Sequence, residues 1–212
     1  MEFIIHSHRH GVNHLQTDPE FINTWLEIQQ VLTNITDDMI LELHQTKYIG
    51  SNKSLSKAIN QLIKEQLCAI GWSSESYIFK DNKYKNKAWR LDFAKDSISV
   101  EVGFNHSGTI AWNLMKPVIA GELNHVEKAV QTKIGIIISA TNELRDFGGF
   151  DSAIGTYEKY IEHLVPLNSQ LTVPLVIVGL KKPKTFYIET YEISKGKTRG
   201  RIKYYDNAET LI

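Results

Sequence analysis

The spacing of hydrophobic and polar positions changes several times along this chain, and the changes mark out alternating strands and helices. The run Ile98-Ser-Val-Glu-Val-Gly-Phe104 alternates strictly, so Ile98, Val100, Val102 and Phe104 face a core while Ser99, Glu101 and Gly103 face the other way. Before it, Ala88-Trp-Arg-Leu-Asp-Phe93 is another short run, and Ala94-Lys-Asp-Ser97 reads as a tight turn folding the two strands together. Residues 2–6 fit an edge strand. Thr17-Asp-Pro-Glu20 has capping-box spacing, with Pro19 early in a helix that runs to Leu32. A second helix follows Thr36-Asp-Asp38. From Ser54 to Ile70, Leu55, Ile59, Leu62, Ile63, Leu67 and Ile70 recur at helical intervals, and Gly71 supplies the stop.

Trp72 is expected to pack beneath the loop to the sheet. Ile110 to Leu123 then reads as a helix containing Pro117, and His125 to Thr132 as a helix leading into a strand over Ile134–Ile138. Ser152–Leu164 is expected to be a helix and Leu175–Leu180 a buried strand. The order predicts an α/β protein with a mixed central β-sheet flanked by helices. A chain of 212 residues can bury one sizeable core, so a single domain over 1–212 suffices.

Charge changes the picture at the carboxy-terminal end. Lys+Arg and Asp+Glu both number 24, and this balance argues against a general nucleic-acid coat protein. Yet Lys181, Lys182, Lys184, Lys195, Lys197, Arg199, Arg201 and Lys203 face only Glu189 and Glu192, which makes a basic region over about 181–212. Tyr187, Tyr191, Tyr204 and Tyr205 would support a β-ribbon there, suited to DNA backbone contact. A lysine-protected edge hairpin accounts for the same residues equally well. The lone Cys68 is expected to pack as a small apolar residue, which leaves no disulfide framework or cysteine zinc site and fits a reducing cytoplasm. No secretory or membrane-spanning pattern is evident, so a soluble cytoplasmic protein is expected. His6, His8 and His10 alternate, as zinc ligands or as solvated residues. Ser139 lacks the context of a nucleophile elbow.

The chemistry concentrates at the hairpin, which brings Asp92 beside Glu101. Two carboxylates with no compensating Lys or Arg favour Mg²⁺, a hard cation that takes oxygen ligands, and such a site suits phosphodiester hydrolysis. Pattern alone leaves a solvated hairpin with charged edge residues equally open.

Asp92-Phe-Ala-Lys-Asp-Ser-Ile-Ser-Val-Glu101-Val-Gly-Phe104 resembles the metal-binding segment of type II restriction endonucleases of the BglII, BstYI and BamHI group, within the PD-(D/E)XK nuclease superfamily. The resemblance extends to Ile5–Gln16, Trp25–Gln30, Lys133–Ser139, Thr156–Glu158 and Val173–Gly179. It implies a restriction-endonuclease-like fold and a Mg²⁺-dependent, site-specific deoxyribonuclease. Such an enzyme acts as a homodimer on both strands of a short palindromic duplex DNA site, with GATC-centred targets in the relatives and a cognate methyltransferase protecting the host. It assigns the metal to Asp92 and Glu101, with the carbonyl of Val102 as a further ligand and Glu75, three residues after Trp72, in support. The chain departs from the group at Gly103, where relatives carry Gln or Glu and the wider superfamily commonly Lys. His106 and Asn105 are the nearest replacements for positioning water, although contact with DNA or solvent is the more ordinary reading of His106. Base reading falls to Asn105, His106 and Ser107 in one loop and Asp151 and Ser152 in another, with ordinary turn and capping chemistry as the alternative. Lys195, Lys197, Arg199 and Arg201 would meet the backbone. Apolar residues near Trp112–Leu123 and His125–Ala129 serve either a dimer interface or the core. A DNA-binding protein weakened in catalysis at Gly103 and a repair or structure-specific nuclease remain alternatives.

Overall fold

A computed structural model describes residues 1–50, 53–122, 125–195 and 197–205. The elements run β1 (Phe3–His8), α1 (Gly11–Thr17), α2 (Ile22–Asn34), α3 (Asp37–Leu43), α4 (Ser56–Ala69), β2 (Ser73–Tyr77), β3 (Arg90–Lys95), β4 (Ile98–Val102), α5 (Ile110–Gly121), β5 (Ile134–Ala140), α6 (Asn142–Phe147), α7 (Tyr157–Leu164), β6 (Leu175–Leu180), β7 (Phe186–Ser194) and β8 (Lys197–Tyr204). Six strands form one sheet in the order β1-β6-β5-β4-β3-β2, and β7 and β8 pair as a separate ribbon. The centre, β4-β5-β6, is parallel, and antiparallel strands flank it on both sides. The expected mixed α/β sheet is therefore present.

Both faces of the sheet are covered, so β4, β5 and β6 are buried throughout. One face sets Val100, Ile136, Ile138, Val176 and Val178 against Trp25 and Ile28 of α2 and Ile59 and Ile63 of α4. The other sets Ile137, Leu175 and Ile177 against Ile110 and Leu114 of α5 and Tyr157 and Tyr160 of α7. The two-residue alternation on each strand thus feeds two cores. Pro117 lies inside α5, and a Cβ added at Gly135 would stand 2.6 Å from its Cγ. Glycine at this position lets α5 lie close against β5, directly over the face that carries Glu101.

Several local expectations are corrected. Residues 125–132 are not helical. His125 has φ 57°, and the segment bends along the loop after β2, with one bridge from Lys128 to Phe79: Lys80 N–H donates to the Glu127 carbonyl at 3.0 Å and Ala129 N–H to that of Ile78 at 2.8 Å. Thr17 closes α1 rather than opening a helix, and the Asp18 carboxylate accepts the Glu20 N–H in the turn before α2. The helix expected from Ser152 begins at Tyr157, because the preceding backbone is spent on the loop after β4, as in Ser107 N–H to the Ala153 carbonyl at 2.7 Å. Cys68 is exposed, on the outer side of α4, not packed inside. Leu123, at the end of the expected α5, lies outside the described residues. The remaining elements follow the pattern, including the Thr36 cap of α3, Trp72 buried beneath the loop, and β6 over Leu175–Leu180. Among the described residues no helix is long and apolar enough to cross a membrane.

Candidate active site

The β3–β4 ladder pairs Lys95 with Ile98, Ala94 with Ser99 and Phe93 with Val100. Asp92 and Glu101 come next in that register, and here side chains replace ladder bonds. The Asp92 backbone N–H donates to Glu101 Oε1 at 3.2 Å, and the Val102 N–H donates to Asp92 Oδ2 at 2.8 Å. Each carboxylate therefore reaches onto the opposite strand and is held by its backbone. The hairpin predicted from sequence does bring the two acids together.

Their surroundings make the pair costly. Glu101 is 1% exposed, and burial first, then the neighbouring Asp92 charge, push its pKa up to about 8. Burial likewise raises Asp92, with Glu75 adding to the rise and the Val102 N–H, Lys116 and Arg90 opposing it. Two desolvated carboxylates sharing one corner call for added positive charge, and carboxylate oxygens are the donors a hard divalent cation prefers. Among the described residues no cluster of three or more His, Cys, Asp or Glu is poised for a metal. Of the amino-terminal histidines, His8 Nε2 meets the Leu171 carbonyl at 3.0 Å, and His6 and His8 line one pocket with Ile161 and Leu164.

The expectation that no Lys or Arg compensates these acids is overturned. Lys116 comes down from α5 and donates to Glu101 Oε2 at 2.6 Å within the buried face. It lies 15 residues after Glu101 on the next α-helix, and the strand pattern does not state which side chains of that helix reach the acids. A signal existed, since Asn113 and Lys116 are buried polar residues, one turn apart, in an otherwise apolar helix. Asn113 Nδ2 donates to the Tyr160 hydroxyl at 2.7 Å. That hydroxyl fills the space beside Gly103: a Cβ there would overlap it and lie 2.9 Å from the ring carbon that bears it. Glycine at 103 is therefore the consequence of Tyr160 reaching across from α7.

The other nominated residues divide clearly. Glu75, at φ 55°, shares a small cavity of about 110 Å³ with Asp92, lined also by Asn60, Lys64, Ser74 and Phe93. Its carboxylate turns to Arg90 at 3.0 Å and Lys64 at 4.0 Å. His106 Nδ1 accepts the Gly108 N–H at 3.0 Å, and Asp151 Oδ1 accepts the Ala153 N–H at 2.8 Å, both in turn roles. The loops themselves meet, however. Gly155 N–H donates to the Asn105 carbonyl at 2.9 Å and His106 bridges Ile154, so Asn105, His106, Ser107, Asp151 and Ser152 belong to one surface at the end of β4. Asn105, His106, Asp151 and Ser152 are exposed there. Lys195, Lys197, Arg199 and Arg201 are exposed on the ribbon, where Arg201 pairs with Glu189 and stacks over Tyr191.

The mixed sheet parts at paired acids next to a buried lysine, and likeness to known proteins makes the class specific. The model of the family described as restriction endonuclease BglII/BglIII matches residues 3–180. The chain belongs to that family, and is a site-specific restriction endonuclease of the PD-(D/E)XK superfamily, a fold whose nucleases depend on metal. The crystal structure of BglII complexed with a DNA 16-mer is similar with a TM-score of 0.64 at 20% identity, over 97% of this chain and 100% of that one. Free BglII is similar with a TM-score of 0.53, at the same identity and coverage. No curated protein matches the chain.

Proposed function

We propose that the protein is a Mg²⁺-dependent type II restriction endonuclease that binds duplex DNA as a homodimer and hydrolyses one phosphodiester in each strand of a short, GATC-centred palindrome. The juxtaposed carboxylates of Asp92 and Glu101, crossed onto each other's strands, carry this reading. They would hold the metal together with the Val102 carbonyl, and Glu75 supports the site from across the small cavity beside Asp92. When bound, the ion lowers the pKa of a water and offsets charge on the scissile phosphate. The chain's own part is to hold the acids apart from bulk water and to fix them through backbone N–H groups.

The joined loops carrying Asn105, His106, Ser107, Asp151 and Ser152 supply base readers, because their amide, imidazole, hydroxyl and carboxylate groups match groove-edge donors and acceptors. Lys195, Lys197, Arg199 and Arg201 on the ribbon contact the backbone. BglII is described with DNA bound, which supports the same partner here. A twofold dimer places one site on each strand of a palindrome. Leu114 and Val118 are core residues, so the nominated interface is left with the half-buried Met115 and Ile119 of α5. A cognate methyltransferase would protect the host site.

Incubation of purified protein with unmethylated plasmid in Mg²⁺ and in EDTA tests the reading. Discrete Mg²⁺-dependent ends that share one palindrome are expected. Nicking or smearing would instead mark a structure-specific nuclease, and retarded but intact DNA a binding protein weakened at Gly103.

A further inference from the structure

Three features meet on the face of β4 that carries Glu101. Lys116 Nζ stands 2.6 Å from Glu101 Oε2 with its side chain 10% exposed. Position 103, the next on that face, carries no side chain, and Tyr160 occupies the space. Asn113, one turn before Lys116, fixes that tyrosine at 2.7 Å. A buried ammonium is costly unless its charge is used, and an apolar residue at 116 would pack against the same core without that cost.

Charge balance shows what the ammonium is for. Asp92 and Glu101 would balance one divalent cation, and Glu75 and Arg90, which also act on Asp92, offset each other at 3.0 Å, so Lys116 would leave the loaded site with one surplus positive charge. A single phosphodiester anion matches that surplus. Lys116 is within reach of that charge, since its ammonium already meets Glu101 at the same corner.

We propose that Lys116 is the catalytic cation of this site, delivered from helix α5 in place of a side chain at 103, and that it binds a non-bridging oxygen of the scissile phosphodiester. The flexible four-carbon stem would let the ammonium reach from Glu101 to the phosphate. In the hydrolysis a water oxygen bonds to phosphorus and one ester P–O bond breaks. The proton lost by water and the proton gained by the leaving alkoxide are exchanged with solvent, and Lys116 takes no part in that transfer. Its role is to offset charge that builds on the phosphoryl oxygens. The inference rests on the nuclease reading above.

Lys116→Gln keeps a donor to Glu101 but removes the charge. Single-turnover cleavage at saturating Mg²⁺ and DNA should fall by about 100-fold, in the range found for loss of one charge-stabilising donor. Without DNA, calorimetry should show Mn²⁺ binding Lys116→Gln at least as tightly as wild type, because a competing cation has left the acids. Binding of target DNA in Ca²⁺ should be kept, and Lys116→Arg should recover part of the cleavage. Cleavage by Lys116→Gln within about threefold of wild type overturns the proposal. So does joint loss of Mn²⁺ binding and thermal stability, which marks a purely structural counterion. If Lys116→Gln does not fold, Lys116→Met is read by the same criteria, and failure of both to fold also assigns Lys116 a structural role. A wild type that cleaves no DNA overturns the nuclease reading and this inference together, whereas cleavage by wild type with an unaffected variant overturns this inference alone.

Discussion

The β3–β4 corner and the β7–β8 ribbon both carry paired charges, in opposite surroundings. At the corner, Glu101 and Lys116 meet at 2.6 Å with side chains 2% and 10% exposed, and both acids are gripped by backbone N–H groups. On the ribbon, Glu189 and Arg201 pair with side chains 37% and 56% exposed, in reach of water and salt. The same ion-pair chemistry is thus strongly coupled in one place and screened in the other. Single substitutions should have large, specific effects at the corner and small, additive, salt-dependent ones on the ribbon.

The largest effect is expected at Asp92. Asp92→Asn should reduce cleavage by on the order of 10³-fold while leaving sequence-specific DNA binding in Ca²⁺ largely intact, because positioning survives when developing charge is no longer offset. Undiminished cleavage would remove Asp92 from the metal site. The same variant tests the electrostatics without metal. Glu101 has its folded pKa raised to about 8 from 4.5, so between those values the unfolded chain binds fewer protons than the folded one, and stability falls as pH rises through that window. Since the Asp92 charge is the second cause of the rise, denaturant titrations of metal-free Asp92→Asn should show a shallower fall across it. An unchanged pH dependence would mean that burial alone sets the Glu101 proton.

A smaller effect, on folding, is expected at Gly103. Gly103→Ala forces a methyl group against the hydroxyl of Tyr160, which is 1% exposed and tied to Asn113. Overpacking of this kind costs about 1–3 kcal/mol, measurable as a lower urea midpoint. Adding Tyr160→Phe should recover part of that loss by vacating the space. A neutral Gly103→Ala would show that Tyr160 does not dictate the residue at 103.

The corner was only half legible in the sequence. Asp92 and Glu101 could be read because a hairpin relates them locally, through strict alternation and a turn at Asp96, which adopts φ 50°. Lys116 and Tyr160 were missed because they arrive from α5 and α7, and nothing in the β4 pattern states which helix covers which face. Fully buried strands announced themselves as apolar runs, so β6 was placed to the residue. The segment 125–132 was misread because its Val126, Val130 and neighbouring polar residues imitate helical spacing, while its hydrogen bonds run to the loop around Ile78 and its apolar side chains join the small cluster of Phe79 and Trp89. The late start of α7 has the same origin. Residues 151–156 spend their backbone groups on the Asn105–Ser107 loop, a tertiary pairing that local propensity does not encode.

The ribbon supplies the mildest and most graded test of the comparison. Lys197 and Arg199 sit on β8 with exposed side chains, so removing either leaves the fold untouched, and neither reaches the carboxylate corner through a described contact. If they meet phosphates, Lys197→Gln and Arg199→Gln should each weaken DNA binding similarly for target and non-target duplexes. Each should also reduce the slope of log K against log salt by about 1, the signature of one fewer neutralised phosphate. Thermal stability and single-turnover cleavage of saturating DNA should stay at wild-type levels. Unchanged slopes would return the ribbon to the alternative its sequence already allowed, an edge hairpin whose lysines keep other strands from pairing with it. A changed slope together with a changed cleavage rate would break the comparison itself, since charges on the exposed ribbon would then be coupled to chemistry at the buried corner.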